Sequence, residues 1–500
     1  MPTRQRIVML TSLIFGILCG SVLFARTNPI VITQKMGPLM VIYALAHAQN
    51  GDVIQVEPGI YTFSSSLYVK TGVTLVGEGA KLTMGAQPDF AFVSTTKDNS
   101  AIIIAPGGTV DNFNILMNAA PVKPTKFKGG AKKGSRAVWN CQGVLQYCNI
   151  TGGNVTSLGS GETPADSIGG GVLNSGGTVQ YCNVLHCQSK YGAGIFNTSG
   201  RVLDCNVSYC KADIYGGGIL SQGGEVIYDT SNSASKNNTY DIKICNAKNG
   251  GGIVINNNGL LEIERDTTVN VTWNLASAYF SGGVNAKYIA GNGGGIYNNA
   301  YCTINVMGTL DVSYNRAKLQ GGGIYNNGTV TTEDGNGTLN IHNNGAGHLY
   351  GTIFKAVRTG GQGGGVYNAG TILGATITSN LALENHNSFG LGKLCGSGGG
   401  IYNCGVVKDC TFSQGPSTYN FAQSGAYYTN AMYYCFGATV SGCKFNLDEP
   451  VSYKDSIQGK ASAEKNVKYN NNNKNVNLDV LKPYDPSVPL QLENLNSRNL

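Results

Sequence analysis

The chain has 500 residues and a formal net charge of +7 at pH 7, with 71 glycines and only 13% charged residues. Glycine usually makes up about 7% of a chain, so it is enriched about twofold here. The net charge is small for this length, so the concentrated basic surface that nucleic-acid binding requires is not predicted. Hydrophobic residues make up 41% of the chain, which is enough to bury a core and excludes a wholly disordered protein.

The N-terminal segment has the features of an export signal. Arg4 and Arg6 precede an apolar run of 18 residues at positions 7–24, and Ala25 is a small residue suited to cleavage. The run is also long enough to remain as a membrane anchor. Residues 1–25 are therefore interpreted as a signal peptide or an anchor, which predicts a secreted or cell-surface protein. No membrane span is predicted beyond this segment.

Residues 26–50 are predicted to cap the N-terminal end of the main domain. Within them, residues 36–49 have the only convincing amphipathic helical pattern in the chain. Residues 51–63 then predict a strand, a turn and a second strand.

A glycine-rich sextet recurs through the middle of the chain. "GGGIYN" stands at 293–298, 321–326 and 398–403, and "GGGVYN" stands at 363–368. Looser copies begin at 169, 192 and 216, which are 23 and 24 residues apart, and at 250. Short Val-, Ile- and Thr-rich runs separate the copies, so the repeat predicts stacked coils of strands in a parallel β-solenoid.

Each position in the repeat has a predicted role. Glycines allow positive φ and close packing where three sheets meet, Ile or Val points inward, and Tyr points outward. The Asn is predicted to occupy a left-handed turn and to hydrogen-bond the Asn of the next coil. Cys182 and Cys205, 23 residues apart, are predicted to stack in a column of buried thiols.

Residues 446–500 lose the repeat and become polar and rich in Asn. They are predicted to form a mostly disordered tail.

Residues 51–83 resemble the opening coils of right-handed parallel β-helix proteins of the pectin-lyase-like superfamily. The "GGG[IV]YN" and "[VI][ST]xNxA" units resemble repeats of chlamydial polymorphic outer membrane proteins. The resemblance implies an all-β, single-stranded right-handed parallel β-helix of about a dozen coils at residues 51–445, with an N-terminal capping helix. It is weak for function, because this fold serves many activities.

Catalytic motifs of that superfamily are missing from the sequence. There is no Asp-Asp, no Gly-His-Gly and no Gln-Asp-Thr-Leu, and the five histidines show no metal-ligand spacing. Neither a metal nor a cofactor is predicted. Glu262 and Glu264 are the best carboxylate pair for acid–base chemistry, but they are interpreted as the solvated face of a strand with Leu261 and Ile263 inside.

The predicted function is a structural, adhesive or glycan-binding role, with a polysaccharide or cell-surface partner. The alternative is a polysaccharide lyase or glycoside hydrolase acting on acidic glycans. Insertions at one corner of successive coils are predicted to form a binding wall. They lie at residues 274–292, 335–362, 379–397 and 413–435.

Two groups of ligand-binding residues are predicted. The wall contributes His342, His348, Lys355 and Arg358. An exposed aromatic ladder contributes Tyr297, Tyr325, Tyr367 and Tyr402. This ladder suits either the binding of sugar rings or a self-stacking rail that protects the sheet, and the sequence leaves both interpretations open.

Overall fold

The computed structural model describes residues 29–79, 91–94, 100–117, 135–155, 167–230, 238–277, 291–332, 336–348, 361–386, 393–394, 396–414, 420–422, 432–434, 438–447, 457–459, 463–465 and 468–471. In these residues the chain is an all-β parallel β-helix, as predicted. A 3₁₀ turn at Gln34–Met36 and an α-helix at Pro38–His47 precede the first coil.

Four sheets run along the solenoid, and the chain visits them in the order A, B, D, C in a complete coil. Sheet A has fifteen strands: Ile30–Ile32, Val53–Val56, Thr74–Gly77, Thr109–Asp111, Val144–Gln146, Thr178–Gln180, Arg201–Leu203, Glu225–Tyr228, Leu260–Ile263, Thr303–Val306, Thr329–Thr332, Thr371–Leu373, Val406–Lys408, Thr439–Ser441 and Ala463–Lys465. Sheet B has fourteen: Ile60–Phe63, Ala91–Ser94, Asn114–Met117, Asn149–Thr151, Asn183–Leu185, Asn206–Ser208, Thr239–Lys243, Thr268–Thr272, Thr309–Ser313, Thr338–His342, Ala375–Thr378, Thr411–Gln414, Lys444–Leu447 and Lys468–Asn471.

Sheet C has thirteen strands: Leu67–Val69, Ser100–Ile104, Arg136–Cys141, Val172–Ser175, Ile195–Thr198, Ile219–Gln222, Ile253–Asn256, Ile296–Asn298, Ile324–Asn326, Val366–Asn368, Ile401–Asn403, Met432–Tyr434 and Ile457–Gly459. Sheet D has ten: Asn154–Val155, Gln188–Tyr191, Lys211–Tyr215, Asn246–Ala247, Leu275–Ala276, Arg316–Ala317, Gly345–His348, Leu381–His386, Lys393–Leu394 and Phe421–Ala422.

Sheet D is an addition to the three sheets that the repeat predicts. Its strands lie between sheet B and the glycine corner and range from two residues, as in Leu275–Ala276, to six in Leu381–His386. The buried side chains of sheet D include small ones, such as Ala276 and Ala317. These two residues lie on consecutive coils and pair in register.

The last strands of sheets A, B and C lie beyond residue 445, where the predicted polar tail begins. Residues 472–500 of that tail, and the predicted signal or anchor at residues 1–25, lie outside the described residues. The boundaries of the predicted domains stay predictions.

The core is one continuous apolar column along the axis, built from alternate residues of each strand. In the strand Leu260–Ile263, for example, Leu261 and Ile263 are fully buried. The aliphatic position of the sextet is buried as predicted, at Ile296, Ile324, Val366 and Ile401.

The glycine corner lies between sheets D and C. The first glycine of the sextet has positive φ in each copy, for example 65° at Gly293 and 62° at Gly321. The second meets the next coil so closely that a Cβ at Gly294 would stand 2.2 Å from the carbonyl oxygen of Gly322. Both predicted reasons for glycine are therefore confirmed.

The sextet Asn differs in part from its prediction. It is not among the residues with positive φ; instead it ends a strand and is fully buried. Its predicted bond to the next coil is present, since Asn298 Nδ2 donates to Asn326 Oδ1 at 2.8 Å. The left-handed conformation occurs instead on either side of sheet B, for example at Tyr147 and Trp273, and between sheets C and A, for example at Gln142 and Asn257.

Candidate functional site

The outer face of sheet B carries a row of polar side chains that crosses eight consecutive coils. We call it the floor row, and the strand register places one member on each coil. Its members are Asn149, Asn183, Asn206, Asp241, Asn270, Asp311, Asn340 and Thr376. Two residues further along the strands is a second row: Ser208, Lys243, Thr272, Ser313, His342 and Thr378.

Hydrogen bonds between coils fix the orientation of the floor row. Asn183 Nδ2 donates to Asn149 Oδ1 at 2.7 Å, and Asn206 Nδ2 donates to Asn183 Oδ1 at 2.9 Å. Asn270 Nδ2 donates to Asp241 Oδ1 at 3.1 Å, and the Asp241 backbone N–H donates to Asn206 Oδ1 at 2.7 Å. The amides are thus held in one orientation before any ligand arrives.

Aromatic side chains border the floor at both edges of sheet B. At the A–B corner, Tyr147 and Tyr181 stack with ring centroids 4.9 Å apart. At the B–D corner, His186 stacks on Tyr209 at 5.0 Å and Trp273 stacks on Tyr314 at 4.7 Å. All six residues have φ between 51° and 59°, an uncommon conformation for bulky side chains. We call the floor, the second row and these two borders the trough.

Asp311 is the centre of a hydrogen-bonded cluster in the trough. Ser313 Oγ donates to Asp311 Oδ1 at 2.5 Å, and His342 Nε2 donates to Asp311 Oδ2 at 2.8 Å. Asn343 Nδ2 lies 2.8 Å from His342 Nδ1, which therefore accepts while Nε2 carries the proton. With both ring nitrogens engaged, His342 has no free nitrogen to act as a base.

The cluster also keeps Asp311 ionised. Burial alone would raise its pKa, but the hydrogen bonds that it accepts from His342 and Ser313 outweigh burial, so the pKa lies below its ordinary value. Asp241 is paired with Lys243, whose Nζ lies 2.6 Å from Oδ2. The two carboxylates of the floor row are suited to accept hydrogen bonds rather than to donate protons.

An open depression of about 590 Å³ widens the trough at the A–B corner. Thr268, Thr309 and Thr338 line it, and each begins a strand whose later residues belong to the floor and second rows. Arg265 and Asp266, both exposed, line its outer side. The lining is mostly polar, which suits a hydroxylated ligand.

The structure separates the predicted wall residues. His342 lies in the trough, whereas the backbone of His348 lies in sheet D, in the strand Gly345–His348. Lys355 and Arg358 lie outside the described residues, as do residues 278–290, 349–360, 387–392 and 423–431 of the insertions.

The insertions do return to the coil at one corner. Asn292, Gln320, Gln362 and Ser397, each directly before a sextet, form consecutive parallel bridges. The wall itself remains a prediction.

The four predicted tyrosines stack on one another along sheet C. Ring centroids are 4.7 Å apart for Tyr297 and Tyr325, 5.0 Å for Tyr325 and Tyr367, and 5.5 Å for Tyr367 and Tyr402, with the planes within 12° of parallel. Burial, followed by the neighbouring Tyr325, raises the pKa of Tyr297 well above its ordinary value. Since neighbouring rings cover each other's faces, this geometry favours the rail, and sugar binding here remains a prediction.

The same row continues toward the N-terminus as a second apolar cluster outside the main core. Its buried members are Leu173, Phe196, Leu220 and Val254. Tyr191 and Tyr215, which immediately precede two glycine corners, pack against this cluster. The tyrosine ladder is therefore continuous with an apolar layer on this side of the solenoid.

Cysteines form the predicted inward column. Cys182 and Cys205 are fully buried on neighbouring coils, and both are free thiols. Burial, followed by contact with Cys148 and Cys205, raises the pKa of Cys182 well above its ordinary value. Cys404, in contrast, takes part in a disulfide.

Of the two glutamates, Glu262 has the predicted placement on sheet A, whereas Glu264 follows the end of the strand at Ile263. Glu262 lies on the outer face, where it accepts a hydrogen bond from Asn305 Nδ2 at 3.2 Å, while Leu261 and Ile263 point inward. The geometry agrees with a solvated strand face.

Sequence reasoning missed most of the trough. Trp273 and Tyr314 share the third position of the "[VI][ST]xNxA" unit, and this recurrence was an available signal for the border. Asp311 and Ser313 alternate with inward residues in "TLDVS", which marks an outward polar face. The meeting of Asp311 with His342 was not predictable, because 31 residues separate them and the spacing of coils varies.

One buried acid lies beside the trough. Asp204 is only 1% exposed, and its Oδ1 accepts the Asp229 backbone N–H at 2.8 Å. Burial is the main cause that raises its pKa to about 7. Its other oxygen, Oδ2, is buried without a hydrogen-bond partner among the described residues.

Within the described part of the chain, no helix has the length and apolar character needed to span a bilayer. Across the same residues, the side chains of His, Cys, Asp and Glu do not gather into a group of three that could hold a metal ion.

Neither a family model nor a curated protein matches the chain. Among solved structures it is similar to the Dettilon tailspike protein gp208, at 11% identity and a TM-score of 0.37, over 87% of this chain and 68% of that one. It is also similar to a GH87 α-1,3-glucanase from Streptomyces thermodiastaticus strain HF3-3, at 9% identity and a TM-score of 0.27, over 89% and 69% of the two chains.

A third similar structure is the tailspike gp49 of Acinetobacter baumannii bacteriophage Fri1, a capsular polysaccharide depolymerase. The identity is 10% and the TM-score 0.24, over 70% of this chain and 58% of that one. Similarities this low do not identify a family and carry no argument about function.

Proposed function

We propose that this chain is an exported or cell-surface β-helix protein that binds a linear polysaccharide along the trough. The observation that carries the proposal is the floor row, which presents amides, carboxylates and one hydroxyl across eight consecutive coils. Hydrogen bonds between coils orient its members from Asn149 to Asn270. Sugar hydroxyls both donate and accept hydrogen bonds, so a repeating polymer matches a repeating row of such groups. The aromatic rings at the ends of each border stack can also make apolar contact with the faces of sugar rings.

The electrostatics of the trough favour binding over cleavage. Glycoside hydrolysis needs a carboxylic acid that is protonated at the working pH. Asp311 has a lowered pKa, and Asp241 is paired with Lys243. Neither carboxylate of the floor row is suited to protonate a leaving group. The resemblance of the repeats to those of bacterial surface proteins agrees with an adhesive or structural role.

Binding should be measured by calorimetry against polygalacturonate, alginate, chondroitin and a neutral β-glucan. In the double variant Asn270→Ala, Asn340→Ala, affinity for the bound polymer should fall by about fivefold or more, because two amides that bond the ligand contribute about 0.5–1.5 kcal/mol each, or about 1–3 kcal/mol together. Glu225→Ala on the outer face of sheet A, where Glu225 pairs with Arg201, is the matched control and should bind like the parent.

Equal affinity of the double variant and the parent would place the binding surface elsewhere. Failure of every polymer to bind would count against a glycan ligand altogether.

A lyase or hydrolase acting on acidic glycans is the second candidate, and Asp204 is the observation that favours it. A pKa of about 7 is in the range expected of a general acid. The carboxyl is almost wholly buried, however, which argues against direct contact with a polymer.

The test is to incubate the protein with the same polymers and to measure new reducing ends and unsaturated-uronate absorbance. Cleavage by the parent that is lost in Asp204→Asn would support this candidate. Binding without cleavage would favour the first.

A further inference from the structure

Exposed apolar side chains are concentrated at the N-terminal end of the solenoid. Eight large hydrophobic residues are exposed in the described part of the chain, and six of them lie between residues 31 and 68. They are Val31, Met36, Leu39, Tyr43, Ile60 and Tyr68, and Leu39 and Ile60 are 76% and 71% exposed. We call these six residues the cap surface.

The helix Pro38–His47 contributes the most exposed member. Its inner side buries Val41, Ala44 and Leu45, while Leu39 and Tyr43, one turn apart, face outward. Its sequence "PLMVIYALAH" contains no Lys, Arg, Asp or Glu. Large apolar side chains on the outer side of a helix that lacks charged residues are normally covered, so this side predicts a contact.

The cap surface surrounds the end of the solenoid instead of lying along one side. Val31, Ile60 and Tyr68 belong to the first strands of sheets A, B and C respectively, and the helix packs against all three of these strands. A flat partner perpendicular to the solenoid axis would contact all of these elements together.

The apolar run that precedes the first coil would bring a flat partner to the N-terminal end of the solenoid. The apolar run at residues 7–24 ends five residues before Pro29, the first described residue. Five extended residues reach at most about 17 Å. An 18-residue helix would be about 27 Å long, close to the hydrocarbon thickness of a bilayer of about 30 Å. If that run is inserted in a membrane, the cap surface is held at the membrane interface.

We propose that residues 7–24 are retained as an anchor and that the cap surface rests on a phospholipid bilayer. Arg4 and Arg6 precede the run and Arg26 and Lys35 follow it, so the placement of the solenoid on the outer side rests on the proposed export and not on the charge of the flanks. The trough then extends away from the membrane, with its N-terminal coils nearest to the lipid. This proposal concerns a different surface from the trough and does not depend on glycan binding.

Photocrosslinking of the full chain in phosphatidylcholine vesicles tests the contact. The photoreactive residue p-benzoylphenylalanine is introduced by Leu39→benzoylphenylalanine in one variant and by Tyr301→benzoylphenylalanine in the other. Tyr301 is the matched control, since it is 89% exposed and precedes the tenth strand of sheet A, far along the solenoid. Both positions are exposed, so folding should be preserved, and circular dichroism checks this.

Lipid adducts at position 39 and none at position 301, detected by mass spectrometry, are expected. Three results would overturn the proposal: a chain-to-chain crosslink at position 39, which would assign the cap surface to a second copy; vesicle-bound protein without a lipid adduct there; and recovery of mature chains that lack residues 1–25.

Discussion

Buried asparagines illustrate how single residues hold neighbouring coils together. In sheet C, Asn326 Nδ2 donates to Asn368 Oδ1 at 2.8 Å, and Asn368 Nδ2 donates to Asn403 Oδ1 at the same distance. Asn298 Oδ1, at the start of this column, has no hydrogen-bond partner among the described residues, because Ile255 occupies the equivalent position of the preceding coil. The amides also bond the backbone, since Asn326 Nδ2 donates to the Thr371 carbonyl oxygen at 2.9 Å and Asn326 Oδ1 accepts the Gly328 backbone N–H at 3.1 Å. Loss of one amide therefore removes several hydrogen bonds at once.

Replacing one amide in this column should therefore be costly. Asn326→Ala removes the acceptor of Asn298 and the donor to Asn368, and it should lower the free energy of unfolding by about 2–4 kcal/mol. Asn327→Ala is the matched control, because Asn327 is adjacent but half-exposed, and it should change stability by less than about 0.5 kcal/mol. Urea denaturation measures the free energy of unfolding of both variants. Equal losses of stability would show that the buried column contributes no more than an exposed asparagine.

Asp204 should make stability depend on pH in an unusual direction. Burial raises its pKa from 3.8 to about 7, so between these values the folded protein holds a proton that the unfolded chain has lost. Unfolding then releases a proton, and this contribution to stability falls as the pH rises from about 4 to about 7. Asp204→Asn cannot ionise and should gain stability relative to the parent across that range.

The measurement is urea denaturation at several pH values for both proteins. Asp266→Asn, at an exposed carboxylate, is the control and should follow the parent, since surface changes usually have effects within about 0.5 kcal/mol. A constant difference between Asp204→Asn and the parent would mean that Asp204 is already ionised in the folded protein at low pH.

At the scale of the coil, the glycine corner sets how closely consecutive turns approach. A Cβ at Gly322 would lie 2.2 Å from the carbonyl oxygen of Gly364 and 2.5 Å from backbone atoms of Gly345. These neighbours are backbone and cannot rotate away. Gly322→Ala should therefore destabilise the protein by about 1–3 kcal/mol or more.

Gly345→Ala is the matched control in the same region. Its Cβ would meet only Leu381 O at 3.8 Å, an ordinary contact, so the variant should be neutral or up to about 1 kcal/mol more stable. Thermal unfolding distinguishes the two variants, and equal midpoints would mean that coil spacing adjusts freely at this corner.

The coil also shows which features a sequence can reveal. The repeated sextet predicts its glycine corner and inward aliphatic, because glycine and branched side chains have strong local preferences. The corners beside sheet B were not predictable in the same way. Residues such as Tyr314 and Trp273 rarely adopt positive φ, and here the stacking of equivalent coils holds them in it.

For the whole molecule, the sequence predicts the fold better than it predicts the trough. Short strands in a unit of about 23 residues, repeated along the chain, favour a stacked solenoid, because each unit buries its apolar face only against its neighbours. The trough depends on register instead. Asp311 meets His342, Asp241 meets Asn270, and the number of residues between partners is set by insertions of unequal length. Spacing in the sequence therefore does not reveal which outward residues share a row.

The length of the trough leads to the last prediction. From Asn149 to Thr376 the floor row spans seven steps between coils, or about 34 Å at about 4.8 Å per step. If a polysaccharide lies along the axis, each added sugar gains contacts until the ligand covers the row. Affinity for a series of oligosaccharides of the bound polymer should therefore rise with length and level off near that span.

A polymer bound across the row, or at its end, would contact only one or two coils. Its affinity would then level off after two or three sugars, and that result, measured by calorimetry over the oligosaccharide series, would contradict axial binding. The Asn270→Ala, Asn340→Ala variant sharpens the comparison, because both changes lie in the second half of the row. Short oligosaccharides that can still occupy the row from Asn149 to Asn206 should lose less affinity than long ones.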